Sequence, residues 1–493
     1  MIVKSDPAII QSYLEDSSNI KGGHAERVVL PENYEEVSKC LKEANDKRIA
    51  VTISGAGTGT SGGRVPFGGI ILSTEKLNRI KGIKKEDSKG LITCQAGVLI
   101  KDLKSYADGN GLFYTYDPTE QNAFIGGTIA TNASGARSFK YGSTRQSIYA
   151  LTIALADGSI FILKRGEIKA KNNRLSFDIG AVKYDMPLPS YKMPSTKSSA
   201  GYFADNDMDL IDLFIGQEGT LACVLEATLK LNKKPEDILS CFAFFKSEED
   251  ALNFAVTARK LSQSRKKKDE VDIDALSIEY LDGNSLELLR KKFGNISGFA
   301  RACVFFEQEI NKSNEDKVIE KWEKLLSEYN APIKDTWVAM NEKDRKDLFD
   351  KRHYLGEAMN ELTKANDMEK VSTDIAVPNE CFLTMMNYYK KILSDLKIQY
   401  YLFGHIGDSH IHLTLIPKDE KEHSKAKSAA MAFVKKSISL GGTVSAEHGI
   451  GKLRREYLKI MYGEEGIREM FEIKRALDPN LILGPGNIFS YKS

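Results

Sequence analysis

The chain has 493 residues, 42% hydrophobic and 28% charged, with a formal net charge of +2; this suits at least two domains of ordinary globular composition and argues against a nucleic-acid partner. No stretch approaches the roughly 18 apolar residues of a membrane span, and residues 1–20 lack the apolar core of a signal peptide. The six cysteines (Cys40, Cys94, Cys223, Cys241, Cys303, Cys381) are scattered without a C-x-x-C pair, so no iron–sulfur cluster or zinc finger is expected, and the default is reduced thiols in a cytoplasmic protein.

Residues 31–50 read as a helix feeding a strand. Pro31 and Asn33 offer a start, and Val37, Leu41 and Ala44 recur at helical spacing. The β-branched run 49–53 delivers the chain to residues 51–69, VTISGAGTGTSGGRVPFGG. Gly55, Gly57, Gly59, Gly62 and Gly63 alternate there with Ser54, Ala56, Thr58, Thr60 and Ser61, and no carboxylate interrupts them. Consecutive turns of this kind aim backbone N–H groups into one concavity that suits an anion, so the stretch is a candidate diphosphate cradle. It lacks the Gly-Lys-Ser/Thr of a Walker loop. Gly57, Gly59 and Gly62 do spell G-x-G-x-x-G, but Pro66, Gly68 and Gly69 do not open a helix. Residues 70–73 read as another strand, giving a strand–loop–strand cradle.

Strands follow at 77–83 and 90–98, a helix at 99–110, and extended chain at 111–114 broken by Pro118. A second glycine-rich stretch, 117–142, reads DPTEQNAFIGGTIATNASGARSFKYG. Gly126, Gly127, Thr128, Thr131, Asn132, Ser134 and Gly135 supply backbone access and neutral donors, and Arg137, Lys140 and Arg145 supply positive charge. Two such loops point to one large, polar, anionic ligand. Residues 148–164 turn at Asp157-Gly158 as a hairpin. Residues 165–209, with Pro187, Pro189 and Pro194, read as an irregular excursion ending at 197–202, and 213–231 returns to strand.

At 233–235 the texture changes. Strands at 239–245, 300–306 and 399–403 alternate with helices at 247–261, 312–329, 343–365 and 379–396, as in a separate α+β domain. The basic run 265–268 precedes Asp269 and Glu270 and reads as a solvated loop. Residues 404–413, GHIGDSHIHL, hold three of the seven histidines, and 441–451, GGTVSAEHGIG, add Glu447 and His448. Imidazoles and a carboxylate suit a divalent transition metal. His410 and His412 share a strand face, His405 can join from the preceding turn, and Glu447 can come from the distant segment, leaving His448 free as a base.

With these motifs in view, the chain resembles the vanillyl-alcohol-oxidase (PCMH) superfamily of flavoproteins, in its 2-hydroxyacid dehydrogenase branch. That branch includes D-lactate, D-2-hydroxyglutarate and glycolate dehydrogenases. The motifs that carry the resemblance are GAGTGTSGG, the 117–142 stretch, GQEGTLACVLEATLKL, GHIGDSHIHL, SAEHGIGK and the closing DPNLILGPGNIF, spread over residues 12–490. The resemblance implies an α+β fold: a two-subdomain FAD-binding domain (1–234), an α+β cap domain (235–440) and a C-terminal segment (441–493) returning to the flavin.

FAD would be held by Ser54, Gly55, Ala56, Gly57, Thr58, Gly59, Thr60, Ser61 and Arg64 at the diphosphate. Pro118, Gly126, Gly127, Thr128, Thr131, Asn132, Ser134, Gly135 and Tyr141 would line the flavin. Glu218, Gly219 and Thr220 would contact the adenosine side, and Asn487 would come from the tail. Neither glycine-rich loop carries a histidine or cysteine, so the FAD is expected to be non-covalent.

By the same resemblance, His405, His412 and Glu447 hold a divalent metal, zinc by expectation, and His448 is the catalytic base. His410 stands where relatives often carry asparagine and Thr414 where some carry another. Arg352 matches the arginine that binds the substrate carboxylate. The lysine of the hydroxyglutarate type is absent at Ser372, which tilts the reading to a D-lactate-like monocarboxylate. The implied reaction is oxidation of a D-2-hydroxy acid to the 2-oxo acid by proton transfer to His448 and hydride transfer to flavin N5. The acceptor is left open among quinone, electron-transfer flavoprotein, cytochrome and oxygen. A homodimer and peripheral attachment to an inner membrane also stay open, as do two other functions: an alkylglycerone-phosphate-synthase-like enzyme and a non-catalytic FAD-binding subunit.

Overall fold

The computed structural model describes residues 1–86, 89–116, 120–264, 271–294, 296–366 and 368–490. Pro118 and the basic run 265–268 lie outside them. The first sheet comprises β1 (Ile2–Lys4), β2 (Arg27–Leu30), β3 (Val51–Ser54) and β4 (Ile70–Ser73) in the order β1-β2-β4-β3. The helix Tyr34–Asp46 joins β2 to β3; the Asn33 side chain caps it, accepting from the Glu36 N–H, and Val37, Cys40, Leu41 and Ala44 are its buried stripe. β3 and β4 run parallel, with Ser54 opposite Ser73. The glycine-rich loop is therefore a crossover that leaves the end of one parallel strand and re-enters its neighbour from the start.

The second sheet holds β5 (Ile80–Glu86), β6 (Lys89–Gln95), β7 (Leu112–Phe113), β8 (Ile148–Ala154) and β9 (Ile160–Lys164). β8 and β9 form the expected hairpin. The excursion after them is more regular than its prolines suggest. β10 (Arg174–Ile179) pairs antiparallel with β11 (Val182–Pro187), and Phe177 stacks on Tyr184 at 5.0 Å. The alternation of apolar residues in RLSFDI is the strand signal there, and Pro187 sits at the last residue of β11, where a missing N–H is tolerated. β12 (Cys223–Lys233) closes the sheet in the order β5-β6-β12-β8-β9, with β7 also on β12.

The third sheet is antiparallel and eight-stranded: β13 (Asp237–Phe245), β14 (Ala275–Asp282), β15 (Ala302–Ile310), β16 (Trp337–Ala339), β17 (Val371–Ser372), β18 (Ile375–Ala376), β19 (Gln399–Gly404) and β20 (His410–Ile416). Its order is β16-β13-β15-β14-β19-β20-β17, with β18 on β20. The helices Glu248–Ser262, Glu315–Glu328, Glu342–Asn366 and Phe382–Leu396 stand close to the expected spans. The central strand β14 and the helix Gly283–Phe293 after it have no counterpart in the sequence reading. β14 is buried along its whole length: Leu276, Ile278 and Tyr280 alternate with Ser277 and Glu279, and the polar face is as buried as the apolar one.

The chain after β20 returns to the first and third sheets. Thr443 and Ala446 donate to the carbonyls of Ala376 and Asp374 beside β18. Lys452 N–H donates to Ser61 of the glycine-rich loop, and Val51 N–H of β3 donates to Ile482. Among the described residues no helix is long and apolar enough to cross a membrane.

Candidate active site

Two glycine-rich loops face each other. A Cβ on Gly55 would lie 3.8 Å from the Gly127 Cα, whereas a Cβ on Gly59 or Gly127 would meet nothing within 4 Å. The loops thus line an open cradle of bare backbone, the form an extended anionic cofactor such as FAD requires. Ser54 leads into the first loop from β3, and Ala56, Thr58 and Thr60 run along it. Arg64 turns back to the N-terminal segment: it donates to the Ser12 carbonyl at 2.9 Å and lies over the Tyr13 ring. In the second loop Thr128 and Thr131 hydroxyls donate to the carbonyls of Ile125 and Gly127. Asn132 takes a left-handed turn, and its side-chain oxygen accepts from Ser143 and from Arg145 N–H. Gly135 follows Ser134 and accepts from Ser138. The Tyr141 hydroxyl is taken up by Glu309 of β15.

The tail closes one wall of the cradle. Glu218 accepts the N–H groups of Ile450 and Gly451 at 2.7 and 2.6 Å. Burial raises its carboxyl to about 7, against those two N–H groups. Gly219 follows it in a left-handed conformation, and Thr220 bonds the Tyr202 hydroxyl. Asn487 donates to the carbonyls of Gly63 and Glu218 and accepts from Lys452. Gly451 has φ +51°, and a Cβ there would stand 2.1 Å from the Ser61 carbonyl oxygen, so the close packing of tail on loop requires glycine.

The histidines converge next to this wall. β19 ends at Gly404, His405 leads a short turn, Ser409 is left-handed, and β20 begins at His410. The side chains of His410 and His412 project on one face, with ring centroids 4.3 Å apart. Glu447 Oε1 lies 3.3 Å from His405 Nε2 and 3.2 Å from His412 Nε2. His410 Nδ1 is buried without a hydrogen-bond partner, 4.0 Å from Glu447 Oε2. Donor atoms of His405, His410, His412 and Glu447 all lie within 4.8 Å of one another. Three imidazoles, one buried carboxylate and an orphaned ring nitrogen fit a divalent cation. The two regions touch: Ser134 Oγ donates to Glu447 Oε2 at 3.3 Å and Ser61 Oγ to the His448 carbonyl at 3.1 Å.

His405, His410, His448 and Glu447 are each held from behind by a residue that sequence reasoning passed over. Glu279, on β14, accepts at Oε1 from His405 Nδ1 (2.6 Å) and at Oε2 from Arg352 Nε and Nη2 (3.1 and 2.6 Å). Asp374 lies 2.9 Å from His410 Nε2 and 3.3 Å from His448 Nδ1, and accepts from Ser445 Oγ and His448 N–H. Lys197 reaches Glu447, Asp408 and Ser138 Oγ at 3.2–3.3 Å. The signal for Glu279 was a carboxylate set between Ile278 and Tyr280 in the strand ALSIEYLD. Asp408 sat inside GHIGDSHIHL, and Asp374 two residues after Ser372.

The charges follow this arrangement. Burial alone would lower the His405 imidazole, but Glu279 and Glu447 on either side raise it to about 9. Against the same burial, His405 and Arg352 hold Glu279 at about 2, and His405 and Lys197 hold Glu447 well below the carboxylate range. Burial lowers His412 and, with His412 and Lys197 nearby, lowers His410 to about 3. The pocket between Glu279 and Glu447 therefore favours a cation, and the two flanking imidazoles offer it lone pairs. His448 is the accessible member: its side chain is 34% exposed, with Nε2 3.7 Å from Glu447 Oε1.

Comparison with known proteins agrees with this architecture. Residues 25–164 match the family model described as FAD binding domain, and residues 234–488 match FAD linked oxidases, C-terminal domain. A D-lactate dehydrogenase of Anaerostipes hadrus is 31% identical over 491 residues, covering 97% of this chain and 93% of that protein. Glycolate oxidase subunit GlcD of Bacillus subtilis (strain 168) is 30% identical (94% and 88% covered), and a D-2-hydroxyglutarate dehydrogenase of Stutzerimonas stutzeri (strain A1501) is 26% identical (99% and 96%). Among solved structures, an alkyldihydroxyacetonephosphate synthase superposes with a TM-score of 0.64 at 15% identity, covering 98% of this chain and 82% of that one, which is a likeness of fold.

Proposed function

Since the chain belongs to the FAD-linked oxidases, in the D-lactate dehydrogenase branch of the vanillyl-alcohol-oxidase superfamily, we propose that it oxidises a D-2-hydroxy acid, a D-lactate-like monocarboxylate, to the 2-oxo acid. Residues 1–234 serve as the FAD domain, 235–440 as the cap, and 441–493 as the segment carrying Glu447 and His448 to their junction. The observation that carries this reading is the convergence of His405, His412 and Glu447 beside the half-exposed His448, against a glycine-lined cradle.

Arg352 binds the substrate carboxylate. Its Nε and Nη2 are engaged with Glu279, which leaves Nη1 for the substrate. His448 takes the hydroxyl proton at Nε2, because Nδ1 faces Asp374 and the ring is thereby oriented. Its partial exposure lets that proton pass to water. FAD, when bound, supplies the hydride acceptor for C2. A divalent ion, zinc in this proposal, would be held by His405, His412 and Glu447, with His410 as a fourth donor near it, and would supply Lewis acidity toward the hydroxyl.

The test is anaerobic bleaching of the flavin band near ~450 nm, as is usual for this cofactor, across D- and L-2-hydroxy acids, with and without EDTA. Bleaching by one D-acid that EDTA abolishes and added zinc or manganese restores is the expected result. A bound flavin that no hydroxy acid reduces would sink the proposal.

A further inference from the structure

Glu279 lies on the central strand β14, 1% exposed, and β19 pairs with that strand through Tyr280 opposite Gly404. The register sets Glu279 beside His405. The helix Glu342–Asn366 brings Arg352 to the other oxygen of the same carboxylate. Each oxygen of Glu279 has its own cation or ring to hold. We propose that Glu279 is a positioning residue that serves the two ends of the site at once: it presents His405 Nε2 toward the metal set and tempers Arg352 for reversible capture of a carboxylate. This rests on the reading of the site given above.

The first half follows from tautomer. A carboxylate oxygen 2.6 Å from Nδ1 accepts the Nδ1–H hydrogen bond, so it is Nε2, facing Glu447 and His412, that gives up its proton and offers a lone pair when a cation binds. A carboxylate behind a ligating histidine also raises that ligand's basicity. The second half follows from charge. A bare buried guanidinium would bind any carboxylate tightly, product included. Paired with Glu279 through Nε and Nη2, Arg352 enters the site as a neutral unit that keeps Nη1 for an anion but not its full pull on one.

The two halves predict opposite shifts from one substitution, which a merely structural role would not produce. Glu279→Gln keeps size and removes charge. Zinc affinity, measured by competition with a chelator on FAD-loaded protein, should fall about 10- to 100-fold. Propionate, a carboxylate with no 2-oxygen, should bind the FAD-loaded, chelator-treated variant about 5-fold or more tightly than wild type, read from perturbation of the flavin spectrum. Loss of both affinities together, or no change in either, would overturn the proposal. If Glu279→Gln does not take up FAD, Glu279→Asp decides. It keeps the charge but is one methylene short of spanning both partners, so zinc or propionate affinity should shift while the other stays; both unchanged, or both lost, overturns it. Wild-type protein that binds no divalent ion would instead remove the metal reading, and the propionate arm would then decide alone.

Discussion

The FAD cradle and the histidine cluster lie side by side and are built in opposite ways. The cradle is backbone: two loops, with open space over Gly59 and Gly127, and hydroxyls bonded to the loop's own carbonyls. The cluster is side chains: His405, His410 and Glu447 are buried, and those three and His448 are backed by Glu279, Asp374 or Lys197. A cofactor with a long polar outline needs room and N–H groups along its length. A cation needs a few donors fixed to within a fraction of an ångström, and fixing them takes a supporting layer. Damage to the first should therefore be local and mostly about binding, and damage to the second should be chemical.

The largest expected effect is in the cluster. Glu447→Gln removes the carboxylate shared by His405 and His412; substrate-driven flavin reduction should fall about 10⁴-fold, since metal-ion stabilisation contributes several kcal/mol, while FAD content in the purified protein stays at wild-type level. His448→Ala should cost about 10²–10⁴-fold in the reductive rate with both FAD and metal retained, as befits loss of a general base. Stopped-flow reduction rates near wild type would remove it from that role.

At the seam of the two regions, Glu218 links stability to pH. Its carboxyl is raised from 4.5 to about 7 in the folded chain, so between those values the native state binds the extra proton. Stability falls as pH rises through this window, by at most about 3 kcal/mol, and the penalty is fully present above pH 7. The thermal midpoint of Glu218→Gln, recorded in excess FAD, should gain on wild type from pH 5 to 8; parallel curves would show that Glu218 does not titrate there.

The smallest effects separate neighbours in the cradle. Gly126→Ala drives a Cβ to within 2.7 Å of Ala96 Cβ and 3.1 Å of its carbonyl oxygen, and should destabilise by about 1–3 kcal/mol. Gly127→Val adds its side chain to open space; the FAD-free protein should unfold at the wild-type temperature while the affinity for FAD drops. Equal FAD titrations for Gly127→Val and wild type would show that the cofactor does not pass that point.

Much of this was legible beforehand because the needed residues are close in sequence. GAGTGTSGG encodes a cradle locally, since glycine acts on its own backbone. HIHL on a strand puts two imidazoles on one face by the two-residue repeat alone. The hairpin β10–β11 was missed because prolines nearby outweighed a short alternation. β14 was missed because its alternation, confined to 276–280, is short. Arg64 and Tyr141 were placed on FAD by position in their loops, and their side chains turn to Ser12 and Glu309, partners more than 50 residues away.

The sequence by itself determined the two glycine loops, the histidine repeat, the arginine in its helix and the family. It could do so because each is a local pattern with a local physical consequence. The tertiary structure decided which groups stand behind them. Glu279, Asp374 and Lys197 come from strands and loops 36 to 250 residues from the histidines and glutamate they hold. Charge and hydrogen bonding act over a few ångströms of space with no regard for chain distance. Only the pairing of β14 with β19, and the return of the tail to both sheets, brings those charges within reach.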